Sequence, residues 1–378
     1  MSDTSTPLQA LRQIPAGVLC AQDYEILAQR FIASPDYAYI AGGCAHELTL
    51  AANRTAFADI SILPRMLRDV RHGHTRLTLL GRSLRHPVML APVAFQALVH
   101  PAAEIDTARA AEATDTCFVA STLSCRPLEQ IAQASRGERW FQLYFQPARE
   151  STLDLLRRAE AAGYTAIVVT LDAAIKTPSL SALRAGFTMP PTIVAANLAN
   201  YPAPPQVVLE PGQSIIFQGV MAEAPNWDDL AWLMEQTRLP VIVKGVQHPG
   251  DALLLKGMGV DGVIVSNHGG RALDGVPASL RLLPAVRQAL GAEFPVLFDG
   301  GVRSGSDVFK ALALGADAVL IGRLQVYALS VAGALGVAHM LKLLREELEL
   351  CMAQAGCATL AEIGPEMIFR LKEESVLC

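Results

Sequence analysis

Eight short apolar segments, rich in β-branched residues, recur along the chain with amphipathic stretches between them. Near-continuous apolar runs of this kind are typical of parallel strands that are buried on both faces of a sheet. The segments are Pro87–Pro92, Cys117–Ser121, Trp140–Tyr144, Ala166–Thr170, Pro240–Lys244, Gly262–Ser266, Pro295–Asp299 and Ala318–Gly322. Because parallel strands need crossover connections, this pattern limits the chain to the α/β class.

Helical periodicity fills the intervals between these segments. It predicts helices at Ser151–Ala162, Trp227–Thr237, Pro249–Met258, Ala278–Leu290 and Ser304–Leu314. Eight strand–helix units favour a closed (β/α)8 TIM barrel, since a doubly wound sheet usually has fewer strands and a glycine fingerprint after the first. We therefore predict one barrel domain over residues 1–378, with an N-terminal helical extension at about residues 22–58.

The regular spacing breaks once, between the fourth and fifth apolar segments. Residues 188–212 are rich in Pro, Ala and Asn and show weak periodicity. Loops at the carboxyl ends of barrel strands build the catalytic face, so a long insertion there predicts a lid or substrate loop. A linker without function is the alternative.

The composition argues against several other classes of function. A net charge of −5, with no basic run interleaved with aromatics, argues against nucleic-acid binding. Seven cysteines without CxxC spacing indicate neither a metal site nor a disulfide framework. The N-terminus lacks the pattern of a signal peptide and no run of about 18 apolar residues occurs, so we expect a cytoplasmic protein that does not bind membranes.

Two glycine-rich turns follow the seventh and eighth apolar segments. The first is Asp299-Gly300-Gly301-Val302-Arg303 and the second is Gly322-Arg323. Glycines let backbone N–H groups approach a phosphate, and arginines add charge-assisted hydrogen bonds. Because TIM barrels commonly bind phosphate after their last two strands, the two turns predict a phosphorylated cofactor.

Polar residues at the ends of other segments suggest the chemistry. Lys244 ends an apolar run and is expected to point into the barrel mouth, where it stabilises an anionic electron sink. A structural ion pair with a neighbouring strand-end carboxylate is the alternative. His268 follows the sixth segment beside Arg271, and Asp172 follows the fourth, so Asp172 is expected to orient His268 as a general base.

Taken together, these residues resemble the FMN-dependent 2-hydroxy-acid oxidases and dehydrogenases, a family that includes glycolate oxidase, lactate oxidase and mandelate dehydrogenase. The resemblance covers nearly the whole chain and is most specific in the segments SNHGGR and DGGVRSG. It implies bound FMN, oxygen or another electron acceptor, a small-molecule substrate and a homotetramer. The implied FMN contacts are Pro92, Val93, Ala94, Ser121, Gln142, Thr170, Lys244, Ser266, Asp299, Gly300, Gly301, Arg303, Gly322 and Arg323.

The resemblance also implies roles for residues in the substrate pocket. His268 is the implied proton acceptor and Asp172 its partner. The substrate would contact Tyr39, Tyr144 and Arg271 as well as His268.

Two positions depart from the family pattern. Family members carry a second arginine nine residues after the threonine of the fourth strand, where it binds the substrate carboxylate with the arginine of SNHGxR; here that position is Ser179. Lys176 and Arg184 are candidates to compensate, although lysine cannot reproduce the fork of an arginine. Leu123 stands where glycolate oxidase has tryptophan, which predicts a larger substrate pocket.

The lost arginine leaves alternatives open. Oxidation of a 2-hydroxy acid, bulky or atypical, is favoured. An amine, an amino acid or another substrate that lacks the usual carboxylate is the alternative that Ser179 motivates. A flavin-binding scaffold without catalysis is disfavoured by the intact His268 and its neighbours.

Overall fold

Eight parallel strands close into a barrel at the centre of the computed structural model, which describes residues 6–202 and 208–370. The strands are β1 (Val88–Leu90), β2 (Phe118–Ser121), β3 (Arg139–Leu143), β4 (Ile167–Thr170), β5 (Val241–Val246), β6 (Gly262–Val265), β7 (Val296–Asp299) and β8 (Ala318–Ile321). Each strand pairs with its neighbours in sequence, and β8 pairs with β1 to complete the closure. The predicted TIM barrel is confirmed.

Helices surround the barrel and precede it. The extension predicted at residues 22–58 contains three of them, and the other predicted helices lie within two residues of their expected bounds. The helices are α1 (Asp23–Ala28), α2 (Ser34–Ala41), α3 (Leu48–Ala58), α4 (Glu104–Ala113), α5 (Leu128–Ala134), α6 (Arg149–Ala161), α7 (Leu180–Arg184), α8 (Trp227–Glu235), α9 (Pro249–Met258), α10 (Ser279–Leu290), α11 (Gly305–Ala313) and α12 (Arg323–Ala355).

The amino-terminal end of the barrel is closed by apolar side chains. An antiparallel hairpin, Leu77–Leu79 with Arg82–Leu84, precedes β1. Its Leu79 and Leu84 are buried in one cluster with the inward residues of the barrel. Those inward residues include Met89, Val119, Trp140, Val168, Ile242, Ile264, Leu297 and Leu320.

The carboxyl-terminal end of the barrel interior is polar instead. Side chains alternate along a strand, so the residue two positions after each inward apolar residue also points inward. On six strands that residue is polar and buried: Ser121, Gln142, Thr170, Lys244, Ser266 and Asp299. Buried polar groups therefore collect at one end of the barrel, which is where TIM barrels carry their active sites.

Helix α12 is the longest helix of the described residues. It has non-helical backbone at Ala332 and Gly333, which kinks it. By length and mean hydropathy, 1.5 over the most apolar stretch, it passes the criteria for a membrane span, but 78% of that stretch is buried inside the protein. A mostly buried helix of this kind is typical of a core helix that packs against the barrel.

The long insertion after β4 packs against the catalytic face. Asn197, in the short 3-10 helix Ala196–Leu198, donates to the carbonyl oxygens of Ser121 and Thr122 and accepts from the backbone N–H of Leu128. Residues 203–207 of the predicted lid lie outside the described residues. A role as a lid stays a prediction.

Candidate active site

A cavity opens at the polar end of the barrel, and almost all of the predicted site residues line it. Two of them, Ser266 and Asp172, do not line the cavity, but both form hydrogen bonds to His268, which does. The lining includes Tyr39, Pro92, Val93, Ala94, Ser121, Leu123, Gln142, Tyr144, Thr170, Lys244, His268, Arg271, Asp299, Gly300, Gly301, Arg303, Gly322 and Arg323.

His268 and Asp172 form a close pair in the cavity wall. Nδ1 of His268 lies 2.7 Å from Oδ1 of Asp172. The histidine backbone has φ +57°, a left-handed conformation, and its N–H donates to Oγ of Ser266 at 3.0 Å. Because an ionised Asp172 can only accept, Nδ1 carries the proton, and Nε2 is the basic nitrogen.

The protonation states of this pair suit a base. Burial, together with the charges of Lys244 and Lys176, lowers the pKa of His268 against the neighbouring Asp172 carboxylate, which raises it. Burial alone would raise the pKa of Asp172, but His268 and Lys244 outweigh burial and lower it. The imidazole is therefore neutral and the carboxylate charged at neutral pH, as a general base and its partner require.

Lys244 is a buried cation beneath the cavity. Its Nζ lies 2.9 Å from Oδ2 of Asp299 and donates to Oγ of Ser266 at 2.8 Å. Burial disfavours the charge, but the carboxylates of Asp299 and Asp172 outweigh burial and raise the pKa of Lys244. The strand-end ion pair, which the sequence analysis treated as the alternative, is therefore present, and Lys244 lines the cavity as well.

The predicted anion site is formed by the turns after β7 and β8. Gly300 and Gly301 have φ +121° and +83°, and a Cβ on Gly301 would lie 2.2 Å from the carbonyl oxygen of Asn53. Arg303 pairs with both carboxylate oxygens of Glu25, at 2.7 and 3.0 Å. Glu25 was not predicted from the sequence, because only the fold brings α1 beside this turn.

Arg323 differs from Arg303 in having no acidic partner. It donates to the carbonyl oxygens of Ile40, Gly42 and Gly269, and within the described residues no carboxylate lies within 4.0 Å of it. Burial, and then the nearby charge of Arg271, lower the pKa of Arg323 to about 10. A buried cation without a counter-charge is a favourable place for a phosphate.

Unsatisfied polar atoms in the cavity wall test whether FMN fits. Nε2 of Gln142, Oγ1 of Thr170 and Oδ1 of Asp299 are buried and have no hydrogen-bond partner among the described residues. Buried polar groups are normally paired, so three unpaired ones around one cavity indicate a polar ligand. A flavin ring offers donors and acceptors along its edge, and the phosphate of FMN suits Arg323. The residues present therefore fit FMN.

Tyr39, Tyr144 and Arg271 line the outer part of the cavity, and Phe187 supports Tyr39. Tyr39 stacks on Phe187 with ring centroids 4.3 Å apart, and the guanidinium carbon of Arg271 lies 4.9 Å from the Tyr39 centroid. Nη1 of Arg271 donates to the carbonyl oxygen of Tyr39 at 2.7 Å. Burial raises the pKa of Tyr144, so its hydroxyl stays protonated and can donate.

The loop after β4 carries Lys176 and Arg184, the two candidates to replace the missing arginine, and its structure distinguishes between them. Ser179 does not line the cavity; it caps α7 and its Oγ lies 3.1 Å from Oγ of Ser181, which donates to Glu47. Lys176 lines the cavity and Arg184 does not. Phe187 and Lys176 lie in a stretch of irregular loop, where periodicity gives no indication of which side chains point inward.

Comparison with known proteins agrees with this geometry. The model of the family described as FMN-dependent dehydrogenase matches residues 28–370. The chain is 65% identical over 351 residues to an L-lactate oxidase of Alicycliphilus denitrificans, covering 93% of this chain and 96% of that protein. It is 47% identical over 346 residues to an L-lactate oxidase of a Roseobacter species, covering 92% and 93%.

A solved structure shares the fold. The crystal structure of mandelate oxidase with (S)-2-phenylpropionate superposes with a TM-score of 0.84 and is 37% identical in sequence. The match covers 93% of this chain and 98% of that chain. Similarity therefore extends over the barrel and the cavity alike.

Proposed function

This chain belongs to the FMN-dependent dehydrogenase family, and on that basis we propose that it oxidises a small 2-hydroxy acid of the lactate class, with His268 as base and oxygen as electron acceptor. It is an FMN-dependent oxidoreductase that acts on 2-hydroxy acids at the α-carbon. The amine or amino-acid alternative is not favoured, because the similar proteins are named as oxidases of lactate and mandelate.

The pair of His268 and Asp172, 2.7 Å apart in the cavity wall, is the main support for the proposed base. When bound, FMN accepts the two electrons that leave the substrate. Nε2 of His268 takes a proton from the substrate, and the Asp172 carboxylate stabilises the imidazolium that results. Tyr144 donates a hydrogen bond to a substrate oxygen, and Arg271 binds the carboxylate.

The apolar lining of the outer cavity suits a short apolar side chain on the substrate. The stack of Tyr39 and Phe187 stands at one side, and Leu123 also lines the cavity. A methyl group needs little room and gains from apolar contact with a leucine. Identity of 65% to an L-lactate oxidase points in the same direction.

Oxygen, assembly and location belong to the same proposal. The names of the relatives, which are oxidases, support oxygen as the acceptor. A homotetramer is proposed from the family resemblance. A cytoplasmic location is proposed from the composition, in which seven cysteines show no pattern of a disulfide framework.

Anaerobic reduction of the bound flavin tests the proposed function. The purified holoenzyme is mixed without oxygen with L-lactate, glycolate, mandelate and L-alanine, and flavin absorbance is followed. We expect L-lactate to bleach the flavin fastest and L-alanine not at all, with colour and hydrogen peroxide appearing when air is admitted. Bleaching by L-alanine alone, or by none of the four, would contradict the proposal.

Substitution of Arg323 is expected to weaken FMN binding. Arg323→Gln removes the buried cation that has no acidic partner, and a hydrogen bond to a charged group is worth about 1.5–3 kcal/mol. The dissociation constant of FMN should rise by roughly tenfold to a hundredfold, measured by the fluorescence of released FMN. Arg109→Gln, on the exposed side of α4, is the matched control and should leave FMN bound.

A further inference from the structure

Lys176 is a cation that faces the cavity without an acidic partner. It lines the cavity with Tyr144, His268 and Arg271. Within the described residues, no carboxylate oxygen lies within 4.0 Å of its Nζ and no hydrogen bond satisfies it. Its Nζ lies 5.8 Å from the centroid of the Tyr144 ring, within range of a cation–π contact.

Arg271 is a second cation at the same cavity. Its Nη1 donates to the carbonyl oxygens of Tyr39, Ile40 and Gly42, while Nε and Nη2 make no hydrogen bond within the described residues. Two like charges at one cavity repel each other, and the repulsion is relieved when an anion binds between them. The free donors of Arg271 and the ammonium of Lys176 therefore indicate an anionic ligand.

We propose that Lys176 binds the carboxylate of the substrate together with Arg271, and so determines that the enzyme selects carboxylic acids. This inference rests on the proposed function and adds a residue to it. Ser179 is engaged with Ser181, and Arg184 does not line the cavity, so neither competes for this role. Lysine contributes a point charge, so Arg271 supplies the directional hydrogen bonds.

The charge of Lys176 makes substrate binding depend on pH. Desolvation of the ammonium, and then Arg271, lower the pKa of Lys176 to about 8 against the opposing effect of Asp172, and Lys244 lowers it further, although the residue as a whole is exposed at the cavity mouth. Above pH 8 the free enzyme loses this charge, so KM should rise with pH toward the value of Lys176→Met while kcat changes little. His268, whose pKa is lowered, and Tyr144, whose pKa is raised, also face Lys176 and stay neutral between pH 7 and 9.

Substitution with methionine and arginine tests the proposal. Lys176→Met should raise KM for L-lactate by about tenfold to a hundredfold, with kcat within a few-fold of wild type. Lys176→Arg should restore KM to within about tenfold and move its rise to higher pH, because arginine keeps its charge. Lys342→Met, on the exposed surface of α12, is the matched control and should change neither value.

Binding of unreactive analogues gives a measurement independent of turnover. Propionate has the carboxylate of lactate without its hydroxyl, and propionamide is the neutral counterpart. The oxidised holoenzyme is titrated with each analogue and flavin absorbance is followed. Lys176→Met should raise the dissociation constant of propionate about as much as it raises KM, and should leave the dissociation constant of propionamide unchanged. If Lys176→Met fails to bind FMN, the Lys176→Arg variant tests the proposal instead. The proposal then requires that KM of Lys176→Arg does not change between pH 7 and 9.

Failure of this inference differs from failure of the proposed function. If wild-type flavin is bleached by L-lactate but Lys176→Met keeps wild-type KM, propionate affinity and pH dependence, Lys176 does not bind the carboxylate. If no 2-hydroxy acid bleaches wild-type flavin, the proposed function fails, and the inference that rests on it fails with it, whatever the affinity for propionate.

Discussion

Replacing His268 with glutamine is expected to lower kcat for L-lactate by roughly 10³- to 10⁴-fold, the upper part of the range for general-base catalysis. Glutamine keeps a polar side chain of similar length but has no basic nitrogen. The turn that carries residue 268 is held by the backbone hydrogen bond to Ser266, so FMN should remain bound. The rate of anaerobic flavin reduction, measured by stopped flow, checks this result.

Two further variants separate the base from its surroundings. Asp172→Asn removes the carboxylate that stabilises the imidazolium, and a smaller loss, on the order of 10²-fold, is expected. His72→Gln, on the exposed surface, should reduce flavin at the wild-type rate. If His268→Gln also reduces flavin within tenfold of wild type, another group removes the proton.

Replacing Gly301 with alanine is expected to lower the free energy of unfolding by about 3 kcal/mol or more and to release FMN. Two effects add: a side chain at positive φ costs about 1–2 kcal/mol, and overpacking costs about 1–3 kcal/mol. The second effect is severe here, because the new Cβ would lie 2.2 Å from the backbone oxygen of Asn53. Urea unfolding of the holoenzyme and fluorescence of released FMN measure the two outcomes.

Gly275→Ala separates these two causes. Gly275 has φ +84°, almost the same as Gly301, but nothing lies within 4 Å of the position of its Cβ. Backbone strain alone should therefore cost it about 1–2 kcal/mol, with FMN retained. Equal destabilisation of the two variants would mean that the contact with Asn53 contributes nothing.

The barrel could be predicted from the sequence because each strand carries the same apolar pattern, and that pattern is visible within a few consecutive residues. Each strand is buried on both faces, so its apolar run is visible without knowledge of its neighbours. Ends of strands are visible for the same reason, which is why Lys244 and Asp299 were expected at the cavity. Their ion pair joins side chains of two different strands, so from the sequence it could be offered only as an alternative.

Partners that come from outside the barrel strands were not predictable in the same way. Glu25 meets Arg303, 278 positions away along the chain, only because α1 packs against α12. Asn53 exchanges two amide hydrogen bonds with Asn267, which ties α3 to the turn of His268. Lys176 and Phe187 lie in irregular segments on either side of α7. No periodicity there indicates which side chains point toward the cavity, so their placement required the fold.

The hairpin of Leu77–Leu79 and Arg82–Leu84 has a consequence for the order of events in turnover. Together with the buried apolar layer above it, the hairpin closes the amino-terminal end of the barrel within the described residues. On the proposed function, the hydroxy acid, the oxo acid and the electron acceptor then use the opening at the opposite end. Product release and entry of the electron acceptor through this one opening are therefore linked steps of the catalytic cycle.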